Sequence, residues 1–390
     1  MIPTANPFLD PRIRETRFGL EREMSQEEAL GVLDGPKPEE WWEVSNWSSA
    51  YYLKGETETA LRYAEQAIDM QESVATCINM AVILEANGRF REALPYAYRA
   101  YRCDPNDKRA SALVGEALLR LGRFDEGWPY YVHNRVDFSW LLPVMPEWKG
   151  PEQGLKGQKL LVIEYGGFGD NFYFSRALPK LKEWGAKITY LCQAPLAPLF
   201  ASMGYDVIPN YAGNADINFY DYDCFTWLCS LGMKLAWNER NIPWNGPYIH
   251  APRKWRWDSR LHIGFCSKAG EGASPRKTRF LTEEQRNRIL DAFPYGARMS
   301  DFTLVTGSWL DTAKAINKLD LMVTVDTGVA HLAAAMGKPT WVILPGCSAW
   351  QYLVDSERHP FYPTMRMFRN NTEGMDNAVK TCIKALEEEL

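Results

Sequence analysis

One stretch of this chain, Met322-Val-Thr-Val-Asp-Thr-Gly-Val-Ala-His-Leu-Ala-Ala-Ala-Met-Gly-Lys-Pro-Thr-Trp-Val-Ile-Leu-Pro345, admits few folds. Met322 to Val325 is apolar and partly β-branched and stops at Asp326, the pattern of a buried parallel strand reaching its sheet edge. Thr327 and Gly328 open a helix, Gly337 closes it, and Pro339 bars its extension before a second strand, Thr340 to Leu344. Polar groups therefore gather at the carboxyl end of the first strand. Backbone N–H groups at the helix start, together with the helix dipole, make an anion site suited to a diphosphate. His331 falls within about one turn of that start, so its ring reaches toward the same anion.

A chain of 390 residues is long enough for two or three domains. Its net charge of −5 argues against a general polyanion binder, although a local basic groove is compatible with it. The 8 cysteines are scattered without a C-x-x-C pair, which suits reduced thiols better than disulfides or a zinc site. The start lacks a charged segment followed by an apolar one, and no run of about eighteen apolar residues occurs. The expectation is a cytoplasmic protein without membrane insertion.

Residues 41–140 carry a repeat. Gly55, Gly88 and Gly122 each end a helix-like stretch, at spacings of 33 and 34 residues. The next helix then starts in step, at Thr59-Ala-Leu-Arg-Tyr63, Glu92-Ala-Leu-Pro-Tyr96 and Glu126-Gly-Trp-Pro-Tyr130. Asp104-Pro-Asn106 closes the middle unit. This pattern resembles the tetratricopeptide repeat, pairs of antiparallel helices of which about three are needed for a stable stack. The repeated aromatics read first as interhelical core.

Three prolines in Pro143–Pro151 break helical periodicity and predict a linker. A buried strand, Lys159 to Glu164, leads into the turn Tyr165-Gly-Gly-Phe-Gly-Asp170, a helix from about Asn171 to Trp184, and the strand Lys187 to Leu191. A weaker repetition runs through Tyr205–Ile208 and the segment around Asp223. A second half opens at Leu261–Phe265, contains a helix at Thr282–Phe293 and runs on through Asp311–Leu319. After the opening motif it ends in the helix Asp376–Leu390. Alternating strands and helices imply parallel sheets covered on both faces.

The Gly166–Asp170 turn lies between strand and helix, where glycines let backbone approach a ligand. A dinucleotide site is disfavoured, because the spacing is not G-x-G-x-x-G and the next strand ends in Cys192-Gln193 where an acid is needed. Asp170 reads either as a catalytic carboxylate or as a helix N-cap. The basic, glycine-rich stretch Ser267–Arg279 offers Lys268, Lys277 and Arg279, each also readable as a solvated charge. Asp221-Tyr-Asp223 matches a metal-holding D-x-D but reads better as structure. The Arg253–Arg260 stretch mixes basic and aromatic residues, and packing in a linker is preferred to a nucleic-acid surface. His250 and His262 read as structural.

The Asp326–Pro339 wording, D-T-G-x-x-H-L-x-x-A-x-G-x-P, resembles the donor segment of GT-B glycosyltransferases of the heptosyltransferase type. The Glu164–Asp170 loop is similar to that family's glycine loop, with Glu164, Gly167, Gly169 and Asp170 matching and Tyr165 and Phe168 in place of commoner residues. Ser267–Arg279 resembles its basic loop more loosely. The resemblance implies an α/β GT-B fold of two Rossmann-like halves, preceded by an all-α tetratricopeptide-repeat domain. Its expected layout is an extension at 1–40, repeats at 41–142, an acceptor-side half at 152–252 and a nucleotide-sugar half at 260–390. It implies inverting, metal-independent transfer from a nucleotide-diphosphate sugar to an acceptor hydroxyl, with no cofactor beyond that substrate. Asp170 would be the base, while Gly167, Gly169, Lys268, Lys277, Arg279, Asp326, Thr327, Gly328 and His331 would hold the donor. The acceptor would be a protein, a glycan or modified DNA, with the repeats aiding its binding. The alternatives are transfer to hydroxymethylated bases in DNA, which the acidic balance disfavours, and a repeat scaffold with an inactive transferase domain. In relatives the tail containing Trp350 and Pro360-Phe-Tyr-Pro363 flanks the cleft.

Overall fold

The structure, a computed structural model, describes residues 31–35, 37–133, 141–210, 217–243, 246–252, 259–269, 279–303, 307–354, 356–369 and 375–390. Two compact units are present: residues 3–136 with 349–354, and residues 137–348 with 355–390.

The first unit is helical. Its helices are α1 (Trp41–Leu53), α2 (Thr57–Met70), α3 (Val74–Ala86), α4 (Phe90–Cys103), α5 (Lys108–Arg120) and α6 (Phe124–His133). They pack most closely as the consecutive pairs α1/α2, α3/α4 and α5/α6. Gly55, Gly88 and Gly122 turn the chain between partners with φ of +82°, +73° and +75°, a left-handed conformation that costs glycine least. Ser73 caps α3 by accepting from the Thr76 amide, and Asp107 caps α5 by accepting from the Ala110 amide. Small residues bring the helices close. A Cβ on Gly115 would stand 2.5 Å from the Tyr131 amide nitrogen. Arg120 and Glu85 form a buried ion pair at 2.6 Å between α5 and α3.

Trp350 belongs to this unit, in a short 3-10 turn, Trp350–Tyr352, whose indole packs edge-on against Trp128 and Tyr131. Its large apolar surface is buried among the helix aromatics, where burial is worth most.

The second unit holds two parallel sheets. The first contains β1 (Lys159–Ile163), β2 (Lys187–Gln193), β3 (Asp206–Asn210) and β4 (Cys224–Trp227) in the order β3-β2-β1-β4. The second contains β5 (His262–Cys266), β6 (Arg298–Asp301), β7 (Leu321–Val325), β8 (Thr340–Leu344) and β9 (Met365–Arg369) in the order β6-β5-β7-β8-β9. The helices are α7 (Phe168–Phe174), α8 (Leu178–Glu183), α9 (Ala197–Ser202), α10 (Leu231–Lys234), α11 (Glu283–Asp291), α12 (Trp309–Ile316), α13 (Gly328–Ala335) and α14 (Asp376–Glu389). Strands β5, β7 and β8 are buried along their whole length, as central strands covered on both faces must be. One core joins them to α11 and α14 through Ile263, Phe265, Val323, Ile343, Ile289, Val379 and Leu386.

Several expected elements move. The helix expected from Asn171 begins at Phe168 and breaks into a 3-10 turn at Ser175–Ala177. Pro179, in the first turn of α8, has no amide to continue the earlier ladder. The expected linker is partly sheet: Glu147 bridges Phe225 in parallel, the Trp148 amide donates to the Phe225 carbonyl at 2.8 Å, and the Trp148 side chain is buried. Strands β6 and β9 had no sequence signal. Arg298-Met-Ser-Asp301 is a mostly exposed edge strand without an apolar run, and β9 interleaves arginines with buried methionines. The Asp223 carboxylate accepts from the Lys159 amide at 2.8 Å, which supplies its structural role. His262 Nε2 lies 2.9 Å from Ser300 Oγ, again a structural contact.

Candidate active site

The site grows from the junction of β7 and α13. Thr327 is the helix N-cap: its Oγ1 accepts from the Ala330 amide at 3.3 Å and lies 3.1 Å from Thr324 Oγ1. Gly328 follows at a tight spot, where a larger residue would have to displace an aromatic neighbour. A Cβ there would stand 3.0 Å from Trp309 Cη2 and 3.2 Å from Phe168 Cβ. Phe168 and Trp309 lie 5.0 Å apart with their rings tilted by 60°, and both flank Gly328. Asp326 is buried, with Arg279 Nη1 3.5 Å from its Oδ2. The strand end thus draws one of the three predicted cations to itself. Lys268 is exposed beside Phe280, its antiparallel bridge partner, and Lys277 lies outside the described residues.

His331 is buried one turn into α13. Burial pulls its pKa down from 6.5 to about 4, outweighing the upward pull of Asp326, and Arg176 and Arg279 add to the fall. Its imidazole is therefore neutral at neutral pH. Its Nδ1 lies 3.4 Å from the Tyr362 hydroxyl. The opposite edge of the ring faces the glycine loop of the first sheet: a Cβ on Gly169 would stand 2.9 Å from His331 Cδ2 and 3.4 Å from Nε2. Helices α7 and α13 pack together here, bringing the two predicted motifs to one place.

Asp170 lies inside the first turn of α7, after the N-cap position held by Gly167. The N-cap alternative is corrected accordingly: Asp170 Oδ2 reaches back to accept from the Gly167 amide at 3.0 Å. Gly166 has φ +74°, and a Cβ there would collide with that same oxygen at 2.5 Å. Gly167 itself is exposed at the loop tip. Glu164 is a brace: Oε2 accepts from the Gln193 amide at 2.7 Å and Oε1 from Asn210 Nδ2 at 3.1 Å, tying together the ends of β1, β2 and β3. Burial raises its pKa against those bonds.

Sequence reading gave no role to the buried residues behind His331, namely Tyr173, Arg176, Tyr248, His359 and Tyr362. Arg176 within the apolar run Phe172-Tyr-Phe-Ser-Arg-Ala-Leu178 was the available signal, since a charge there must find partners. A cavity of about 590 Å³ is lined by Arg176, Lys180, Tyr205, Tyr248 and His250, and none of the predicted site residues borders it. Among the described residues, Glu72, Cys77 and Cys103 are close enough to share a metal. Glu72 is already gripped by Arg99 through two bonds, and burial pushes the Cys77 thiol up to about 11, so neither favours a cation.

A helix start at the carboxyl end of a parallel strand is where open α/β sheets commonly place an anionic ligand. Residues 282–380 match the model of glycosyltransferase family 9 (heptosyltransferase), so this part of the chain is of glycosyltransferase type. A comparison with curated proteins gives no match. Among solved structures, the chain is similar to the dodecameric iron-containing heptosyltransferase TibC in complex with ADP-D-beta-D-heptose. Identity there is 12%, with a TM-score of 0.35, over 50% of this chain and 60% of that one. The E. coli heptosyltransferase WaaC with ADP is 14% identical over 58% of this chain and 99% of that one, with a TM-score of 0.36. An O-GlcNAc transferase of Thermobaculum terrenum is 10% identical over 97% of this chain and 90% of that one, with a TM-score of 0.33. No described helix is long and apolar enough to cross a membrane.

Proposed function

We propose that the protein is an inverting glycosyltransferase of GT-B architecture that moves a sugar from a nucleotide-diphosphate donor to an acceptor hydroxyl without a metal. The carrying observation is that Asp326, Thr327, Gly328 and His331 cluster at one strand-to-helix junction inside the family 9 match. The amides of Gly328 and Val329, the α13 dipole, His331 and Arg279 face the developing charge of the leaving diphosphate, with Lys268 and Lys277 as further cations. Thr327 shapes the helix start, Gly167 leaves the loop tip open to the donor, and Gly169 lets the loop close on His331. Asp170 removes the proton of the acceptor hydroxyl, whose oxygen then attacks the anomeric carbon as the nucleotide diphosphate departs. The six paired helices, in register with the 33- and 34-residue glycine spacing, form a tetratricopeptide-like stack that binds the acceptor. A thermal-shift screen with UDP-, ADP-, GDP- and CMP-sugars tests the reading: one donor class should raise the melting temperature. No shift with any donor would return the protein to the scaffold alternative.

A further inference from the structure

His331 is joined to the buried Arg176 by two tyrosine hydroxyls. Arg176 Nη2 donates to the Tyr248 hydroxyl at 3.3 Å, which lies 3.1 Å from the Tyr362 hydroxyl, which in turn lies 3.4 Å from His331 Nδ1. All four side chains are buried. The guanidinium is fixed by two further bonds, from Nε to the Tyr173 carbonyl at 2.8 Å and from Nη1 to the Phe361 carbonyl at 2.9 Å. The rings of Tyr173, Tyr362 and Tyr248 surround it at 4.4, 4.6 and 5.3 Å.

The direction of the protons follows from the donor inventory. A guanidinium only donates, so the Tyr248 oxygen accepts and its single proton must go elsewhere. Two acceptors are in reach, the Phe172 carbonyl at 3.0 Å and the Tyr362 oxygen at 3.1 Å. The Phe172 carbonyl also receives the Ser175 hydroxyl at 2.9 Å, so it does not depend on Tyr248. A fixed cation at one end of the chain draws oxygen lone pairs toward itself and turns hydroxyl protons away, toward His331. Nδ1 then accepts, and in a neutral ring Nε2 carries the proton. The Nε2 edge is the one that faces Gly169.

We propose that Tyr362 is a positioning residue that fixes His331 in the Nε2–H tautomer and presents that N–H as a donor to a diphosphate oxygen. The second half rests on the donor-site reading of α13. The reverse tautomer would aim a lone pair at the anion. Neutrality of the ring, which its low pKa near 4 secures, makes the choice of tautomer the decisive variable.

Nitrogen-15 imidazole NMR on the full chain reads the tautomer directly. The chain has 5 histidines, and a His331→Gln spectrum assigns the signal. The wild type should show a protonated Nε2 and a bare Nδ1. Tyr362→Phe should give a mixed or reversed tautomer and weaken ADP or UDP about tenfold. Tyr248→Phe, which removes the hydroxyl next to Arg176, should loosen the same signal and serves if the first variant does not fold. A wild-type His331 protonated on Nδ1, or a Tyr362→Phe protein with an unchanged tautomer, overturns the proposal. The expected tautomer in a protein that binds neither nucleotide would leave the positioning role standing and remove the diphosphate.

Discussion

Gly169 and His331 meet across the two sheets with no room for a methyl group, since a Cβ on the glycine would lie 2.9 Å from the imidazole Cδ2. The close approach locks the glycine loop to the donor helix. Gly169→Ala must therefore push the buried ring or the loop aside, at a cost of about 1–3 kcal/mol of stability. Calorimetric melting should show that loss together with weaker binding of nucleoside diphosphates. Unchanged melting and unchanged affinity would mean that the ring yields freely and that the contact orders nothing.

Asp170 combines a structural bond with the proposed base role. Its Oδ2 holds the Gly167 amide, and an amide-bearing isostere can keep that bond through its oxygen. Asp170→Asn should thus melt near the wild type and retain donor affinity, while transfer falls about 10²–10⁴-fold. Near-normal turnover would reduce Asp170 to a brace of the helix start, worth about 1 kcal/mol.

Much of the fold was legible because it rests on local pattern. The glycine spacing of the helical unit, the apolar run of β7 and the Gly337-x-Pro339 stop each involve neighbours in sequence, and the elements appear there. The break at Pro179 was also visible in principle. What escaped depends on distance along the chain. Trp350 is absorbed by Trp128 and Tyr131 of the helical unit, and Tyr362 meets Tyr248 although 114 residues separate them. Periodicity cannot register such pairings, because each partner reads locally as an ordinary buried aromatic. The two motifs of the candidate site were each legible, but their meeting at Gly169 and His331 was not.

Stability should fall in acid for a definable reason. Burial lowers the pKa of His331 from 6.5 to about 4 and that of His359 well below its ordinary value. The unfolded chain therefore binds more protons in this interval, so unfolding gains as pH falls below about 6.5. For His331 the penalty is complete below about pH 4 and amounts to on the order of 3 kcal/mol. Urea unfolding at pH 7 and pH 5 should show the loss, and His331→Gln should shrink it. Equal stability at the two values would show that these rings are not held neutral.

Transfer should survive EDTA. The proposed charge stabilisation comes from amides, Arg279 and His331, which need no ion. Activity abolished by EDTA and restored by manganese would replace this account with a metal-assisted one.

The most direct measurement is isothermal titration of the wild type and of His331→Ala with ADP, UDP and GDP. One nucleotide should bind the wild type with one site per chain. Loss of a hydrogen bond to a charged group, worth about 1.5–3 kcal/mol, should weaken it at least tenfold in a variant that stays folded. Equal affinity in the two proteins, or no binding of any nucleoside diphosphate, would contradict the placement of the donor at α13.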